Sequence, residues 1–180
     1  MFEKNEKPGG MLTYGIPSYK LEKDVVEEEI DIIRALGVEI KCGVEVGKDI
    51  TLDELRKDGY EAFYIAIGCQ GSRKSGVAGE DADGVMSAVD ILHEIAENHD
   101  LDLKGNKTVV IGGGNVAVDV ARSTKRCGAD VLGMFCLESR EEMPASEEEI
   151  FETEDEGIQI NNGWGVKEIL AENGLSLIHI

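Results

Sequence analysis

The sequence predicts an α/β fold in which parallel sheets are flanked by helices, and three observations predict it. Apolar runs of strand length alternate with stretches of helical periodicity along most of the 180 residues. One such run, Thr108 to Ile111, passes through three glycines directly into a helical pattern that opens at Asn115. No apolar run approaches the ~20 residues that a membrane-spanning helix needs, and no secretory leader pattern opens the chain.

Taken in order, the elements are these. The opening residues lead into a loop from Pro8 to Pro17 that holds Gly9 and Gly10. Val25, Val26, Ile30, Ile33 and Leu36 recur near a 3.6-residue spacing, so a helix is expected over 23–36, stopped by Gly37. Residues 38–42 read as a strand. Thr51 with Glu54 forms a capping box that opens a short helix. Residues 62–67 read as a buried strand ending at Gly68, and 87–97 as a connecting helix. From 107 onward the pattern is strand, glycine turn, helix to Cys127, strand 131–137, and an acidic helix capped by Ser146 with Glu149. A strand over 158–161 follows, and another within 164–172. The chain thus divides into residues 1–97 and 98–174, with neither internal repeats nor a low-complexity linker. The acidic runs at 27–29 and 147–149 read as solvated helix faces rather than metal sites.

The glycine turn carries the most chemistry. Its spacing is Gly112-x-Gly114-x-x-Ala117. Gly112 permits the sharp strand-to-helix turn, and Gly114 removes a side chain where a pyrophosphate must approach backbone N–H groups. Ala117 lets the helix pack close to the strand. An anion there meets the positive end of the helix dipole and unpaired donors. Glu138 ends the next apolar strand, the place where an acid bonds a ribose hydroxyl.

Composition excludes several classes. A formal net charge of −19 argues against nucleic acid and anionic membrane surfaces as partners. Cys42, Cys69, Cys127 and Cys136 show neither a C-x-x-C nor an iron–sulfur spacing, which fits reduced thiols and a cytoplasmic location. There is no Ser/His/Asp set, no acid–base pair and no cluster of metal ligands, so no catalytic side chain is assigned. His93 and His99 read as surface residues at a polar helix end, and Asp119 with Arg122 as a helix-surface pair.

The order of motifs resembles the glutamate synthase small-subunit family, whose relatives include the flavin half of dihydropyrimidine dehydrogenase. The resemblance rests on Pro8-Gly-Gly-Met-Leu-x-Tyr-Gly-Ile-Pro17, Gly37-Val-Glu-Ile40, Val46-Gly and Ala66-Ile-Gly68. It continues through Gly79-Glu-Asp81, Gly84-Val-x-Ser87, the glycine turn and Arg140-Glu-Glu-Met-Pro-Ala145. It implies a pyridine nucleotide-disulfide oxidoreductase architecture: a partial FAD-binding domain with a connecting helix over 1–97, and an inserted, partial, Rossmann-like NAD(P)-binding domain over 98–174. It also implies hydride transfer from NAD(P)H to FAD and onward passage of electrons to a partner subunit. That partner is expected to be a glutamate synthase large subunit or another acceptor, with iron–sulfur clusters in the partner or in regions outside this chain. Such chemistry resides in the cofactors, which explains the missing acid–base set.

For FAD, the resemblance implies that Glu3 holds the adenosine ribose, while Gly9, Gly10 and Met11 run beneath the flavin. Lys20 stands where relatives place an arginine, Val46 meets the adenine through its backbone, and Gly68, at the end of the strand over 62–67, is counted among the cofactor-binding residues. For the nicotinamide nucleotide, it implies that Gly112, Gly113, Gly114, Asn115, Val116 and Ala117 hold the pyrophosphate. NADPH-using relatives carry two adjacent arginines where this chain has Leu137 and Glu138. A carboxylate repels a 2′-phosphate and bonds a free 2′-OH, so NADH is expected over NADPH, although Arg140 stands nearby.

Two ends are expected to be incomplete. The family's own FAD phosphate loop precedes the position of Glu3, so the chain is expected to be a fragment that is inactive alone. Residues 175–180 depart from the family and read as a non-native tail, set aside with His179. Two alternatives are a non-catalytic NAD(H)-binding module, distinguished by lacking flavin, and a thioredoxin-reductase-like dithiol oxidoreductase, which the missing C-x-x-C disfavours.

Overall fold

The computed structural model describes residues 1–98, 101–172 and 175–179. The chain forms two compact units, Met1–Gln70 and Gly71–Ile180.

In the first unit, Gly10 adopts φ 53° and ψ −126°, a conformation open to glycine, and turns the chain into helix α1, Met11–Tyr14. Lys23 closes the far end of α1 by donating through Nζ to the carbonyls of Leu12 and Ile16. Helix α2, Lys23–Ala35, ends where Gly37 donates back to the Arg34 carbonyl. Helix α3, Leu52–Lys57, opens on the expected capping box: Glu54 N–H donates to Thr51 Oγ1, and Thr51 N–H donates to Glu54 Oε2 at 2.8 Å. The Thr51 N–H and then the Thr51 hydroxyl, both donating to Glu54 Oε2, hold the Glu54 carboxyl below its usual value.

The strands expected at 38–42 and 62–67 do not form. Phe2 and Lys41 make a single parallel bridge, with Glu3 N–H on the Lys41 carbonyl at 2.9 Å. Residues 62–67 lie in no ladder, and Tyr64 and Ile67 are 94% and 79% exposed. The physical reason is that an apolar strand pattern states a need for neighbours rather than supplying them. Among the described residues of this unit, only isolated bridges answer it. Helix α2 shows the same lack: Val26 is buried, while Val25, Ile32, Ile33 and Leu36 are exposed.

The second unit opens with a loop in which Glu80 gathers the Ser75 hydroxyl and the Gly76 N–H on one carboxylate oxygen. Helix α4, Ala88–Glu97, starts at Ser87, whose side chain accepts from Asp90 N–H. Strand β1 (Lys107–Ile111), helix α5 (Asn115–Arg126) and strand β2 (Asp130–Cys136) follow. A 3₁₀ turn (Arg140–Glu142), helix α6 (Glu147–Asp155) and strands β3 (Ile160–Asn162), β4 (Glu168–Glu172) and β5 (Leu175–His179) complete the unit. The order β1-β2-β3 is parallel throughout, with Ile111 opposite Phe135 and Met134 opposite Ile160. This is the α/β arrangement expected, helices alternating with parallel strands. The core joins Ile91 and Leu92 of α4, Val110 of β1, Val118 and Ala121 of α5, Met134 of β2 and Ile150 of α6.

Residues 175–179, set aside with residue 180 as a tail, form β5, antiparallel to β4, with Leu170 opposite Leu177. A strand edge offers unpaired backbone groups to any extended neighbour, whatever that neighbour's origin. Asp119 and Arg122 are not a surface pair. They are 9% and 5% exposed, and Arg122 reaches Glu152 and Glu156 on and just past α6. The partners lie 30 and 34 residues further on, beyond the reach of a helical spacing rule. His93 is half-buried against Glu97 at 3.3 Å, whereas His99 lies outside the described residues.

Candidate functional site: a glycine bend at the C-terminal edge of a parallel sheet

The bend leaves β1 at Gly112, whose N–H donates to the Phe135 carbonyl at 2.9 Å. Its φ of 134° is what the sharp turn requires, and a Cβ there would lie 3.2 Å from Ala117 Cβ. Strand and helix therefore meet as closely as the small residues at 112 and 117 allow. Gly113 is packed in: a Cβ would lie 3.0 Å from Cys136 Cβ and 3.2 Å from Glu138 Oε2. Gly114, the N-cap of α5, differs. No atom lies within 4 Å of where its Cβ would be, so open space stands directly before the helix.

That space is edged with donors. Asn115 and Val116 occupy the first helical positions, where backbone N–H groups have no carbonyl within the helix to bond. Val116 is half exposed. A bare approach, orphan N–H groups and the positive end of a twelve-residue helix fit a pyrophosphate without help from a cationic side chain.

A segment from further along the chain braces the bend. Ala145 N–H donates to the Gly113 carbonyl at 3.1 Å, and Ser146 N–H donates to Asn115 Oδ1 at 3.0 Å. Ser146 also caps α6 through its side chain. The sequence reading assigned Ser146 the cap but missed the brace. Its only signal was a helix start following Met143-Pro-Ala145, which says nothing about what the preceding backbone touches.

Glu138 follows β2 and is half-buried, with its carboxylate beside Gly113. Its own carbonyl accepts from Asn162 Nδ2 and Gly163 N–H, both at 3.2 Å. Burial, and then the neighbouring Glu138 charge, raise the pKa of the Cys136 thiol, so this cysteine is neutral at pH 7. Arg140, the one cation expected near Glu138, is engaged by Glu147 at 3.5 Å and Glu154 at 3.6 Å. All four cysteines are unpaired, and no group of metal ligands occurs among the described residues.

The residues expected to meet FAD lie in the first unit. Glu3 is paired along its backbone with Lys41 and Val44, and its carboxylate accepts from Asn5 N–H at 2.9 Å. A Cβ at Gly9 would strike Thr13 Oγ1 at 2.2 Å, so the local turn already requires that glycine. Gly10 sits beside Gln70, with Nε2 3.7 Å from a Cβ position, and Gly68 has open space around it. Met11 begins α1, Lys20 N–H closes a turn on the Pro17 carbonyl, and Val46 makes a bridge with Ile50. A Cβ at Gly68 would thus meet no neighbour, one at Gly10 would make ordinary contact with Gln70, and one at Gly9 would clash.

Comparison with known proteins now places the chain. The sequence profile described as pyridine nucleotide-disulphide oxidoreductase matches residues 5–179. The NADP(+)-dependent formate dehydrogenase subunit beta of Moorella thermoacetica is 41% identical over 97% of this chain and 25% of its own length. The glutamate synthase [NADPH] small chain of Escherichia coli (strain K12) is 34% identical, over 88% of this chain and 36% of its own. This chain therefore spans about a quarter to a third of the curated relatives it matches. Among solved structures, Mycobacterium tuberculosis FprA in complex with NADPH has a TM-score of 0.65 at 24% identity, covering 86% of this chain and 40% of its own. That last likeness carries the fold alone.

Proposed function

This chain belongs to the pyridine nucleotide-disulphide oxidoreductase family, and from that premise we propose that it is part of a flavoprotein oxidoreductase subunit. In this reading the subunit takes hydride from a reduced nicotinamide dinucleotide onto FAD and passes the electrons to a partner, as the glutamate synthase small-chain resemblance implies. The nicotinamide and flavin supply the redox chemistry. The chain's own residues grip the nucleotides, and the carrying observation is the open space at Gly114 before the α5 N-terminus. Iron–sulfur clusters belong to the partner or to parts of the longer subunit. The four free thiols fit a reducing, cytoplasmic compartment.

The dinucleotide in this reading is NADH. Glu138 holds a carboxylate against the bend, and Arg140 stands 3.5 Å from Glu147 and 3.6 Å from Glu154. A 2′-phosphate beside Gly113 meets the Glu138 charge, whereas a 2′-OH finds an acceptor. The names of the formate dehydrogenase and glutamate synthase relatives specify NADP(+) and NADPH, so this reading sets the chain apart from them in its nucleotide. Calorimetry with both nucleotides tests the reading. NADH is expected to bind roughly tenfold tighter, about 1.4 kcal/mol, and Glu138→Arg to narrow or reverse the gap. Equal affinities in the unaltered chain contradict it.

A further inference from the structure

The Glu138 carboxylate reaches the glycine bend, with Oε2 3.2 Å from where a Gly113 Cβ would lie. Among the described residues no hydrogen bond or ion pair holds that carboxylate itself, so its place depends on the main chain behind it. Glu138 stands two residues past the end of β2, where the ladder of the sheet no longer restrains it. The restraint comes from β3 instead. Asn162, the last residue of β3, lies opposite Cys136 in the parallel register. Its amide sits beside the Cys136 thiol, with Nδ2 3.3 Å from Sγ. The same Nδ2 donates to the Glu138 carbonyl at 3.2 Å. An amide nitrogen carries two protons, which serves both acceptors at once. Gly163 N–H donates to that carbonyl as well, also at 3.2 Å.

From this bonding we infer that Asn162 is a positioning residue for the choice of nucleotide: its amide pins the main chain at Glu138 and so holds the carboxylate at the bend. The inference rests on the NADH reading above and deepens it. Asn162 acts through Glu138 rather than on the nucleotide. A carboxylate already fixed in place accepts a ribose hydroxyl without first losing rotational freedom. The same rigidity keeps its charge where a 2′-phosphate would have to come. Without the Asn162 bond, Gly163 alone holds the carbonyl, the carboxylate turns more freely toward water, and both effects shrink. The pyrophosphate site at the start of α5 is common to both nucleotides and is not involved. Asn162 therefore governs the difference between the two affinities. A residue that only stabilised the sheet would weaken NADH and NADPH alike.

The 180-residue chain, Asn162→Leu, Glu138→Ala and the double variant are each titrated calorimetrically with NADH and with NADPH. Far-UV circular dichroism first shows that each is folded. Leucine is close to asparagine in size and has no donor. Asn162→Leu is expected to weaken NADH about fivefold and leave NADPH within about twofold, so a preference of about tenfold falls to about twofold. In the Glu138→Ala background the same substitution is expected to leave the ratio of affinities unchanged, because no carboxylate remains to be placed. Asn162→Ser, whose hydroxyl is one bond too short for the Glu138 carbonyl, gives the same reading should the leucine variant not fold. An equal loss for both nucleotides, or an unchanged ratio, in the Asn162 variants overturns the positioning role and leaves the NADH reading standing. Equal affinities in the unaltered chain, or no heat with either nucleotide, overturn that reading and the positioning role with it.

Discussion

The two units answer similar sequence signals in opposite ways. In the second, β1, β2 and β3 pair in parallel, and Met134, Val118 and Ile150 are almost fully buried. In the first, an equally apolar stretch at 62–67 joins no sheet, and Ile65 and Ile67 are 73% and 79% exposed. The difference teaches that apolar periodicity measures demand for partners. Only where the intervening chain returns a strand or helix to the same place does that demand become a core.

Substitutions that shorten side chains break or sharpen this contrast most strongly. Met134→Ala removes a side chain with no exposed surface, and a loss of about 2–5 kcal/mol is expected by denaturant titration. Ile67→Ala, in the exposed stretch, is expected to stay within about 0.5 kcal/mol. Equal losses at the two positions would mean that the units do not differ as described.

Next in size is a contrast within the bend itself. Gly113→Ala forces a methyl to within 3.0 Å of Cys136 Cβ and 3.2 Å of the Glu138 carboxylate. A loss of about 1–3 kcal/mol is expected in chemical denaturation. An unchanged midpoint would show that the packing of Gly113 is looser than the distances indicate.

The smallest effect concerns acid. Burial alone would raise the Glu156 pKa, but hydrogen bonds and charge from Arg126 and Arg122 hold it below the ordinary value. A carboxylate whose folded pKa is depressed stabilises the fold fully above its unfolded pKa. That contribution fades as pH falls through the depressed folded value. Melting temperature measured from neutral pH downward should therefore decline less steeply in Glu156→Gln than in the unaltered chain. Parallel declines would remove Glu156 from the account.

Much of the second unit was legible before any coordinates. Its helix starts announce themselves through Ser87 and Ser146, whose side chains cap the backbone locally. The glycine turn was legible for the same reason, since Gly112, Gly114 and Ala117 act on neighbours within one turn of helix. What stayed hidden depends on chain segments returning from afar. Arg122 looked exposed because its partners, Glu152 and Glu156, lie on and just past another helix. The brace from Ala145 and Ser146 onto the bend runs through backbone groups, which carry no residue signature. Residues 38–42 and 62–67 failed as strands for the complementary reason: their pattern was clear, but 38–42 meets the opening residues in a single bridge and 62–67 meets no strand among the described residues. The residues 175–179 paired with β4 although nothing in their resemblance called for it.

The central claim is that the bare N-terminus of α5 receives a dinucleotide pyrophosphate, and Gly114→Ala tests it most directly. Its φ of −94° suits alanine, and no atom stands within 4 Å of the new methyl, so the melting temperature should barely move. Calorimetry with NADH should show binding to the unaltered chain and a loss of about tenfold or more in the variant, because the methyl occupies the phosphate's approach. Equal NADH affinity in the two proteins would contradict the account.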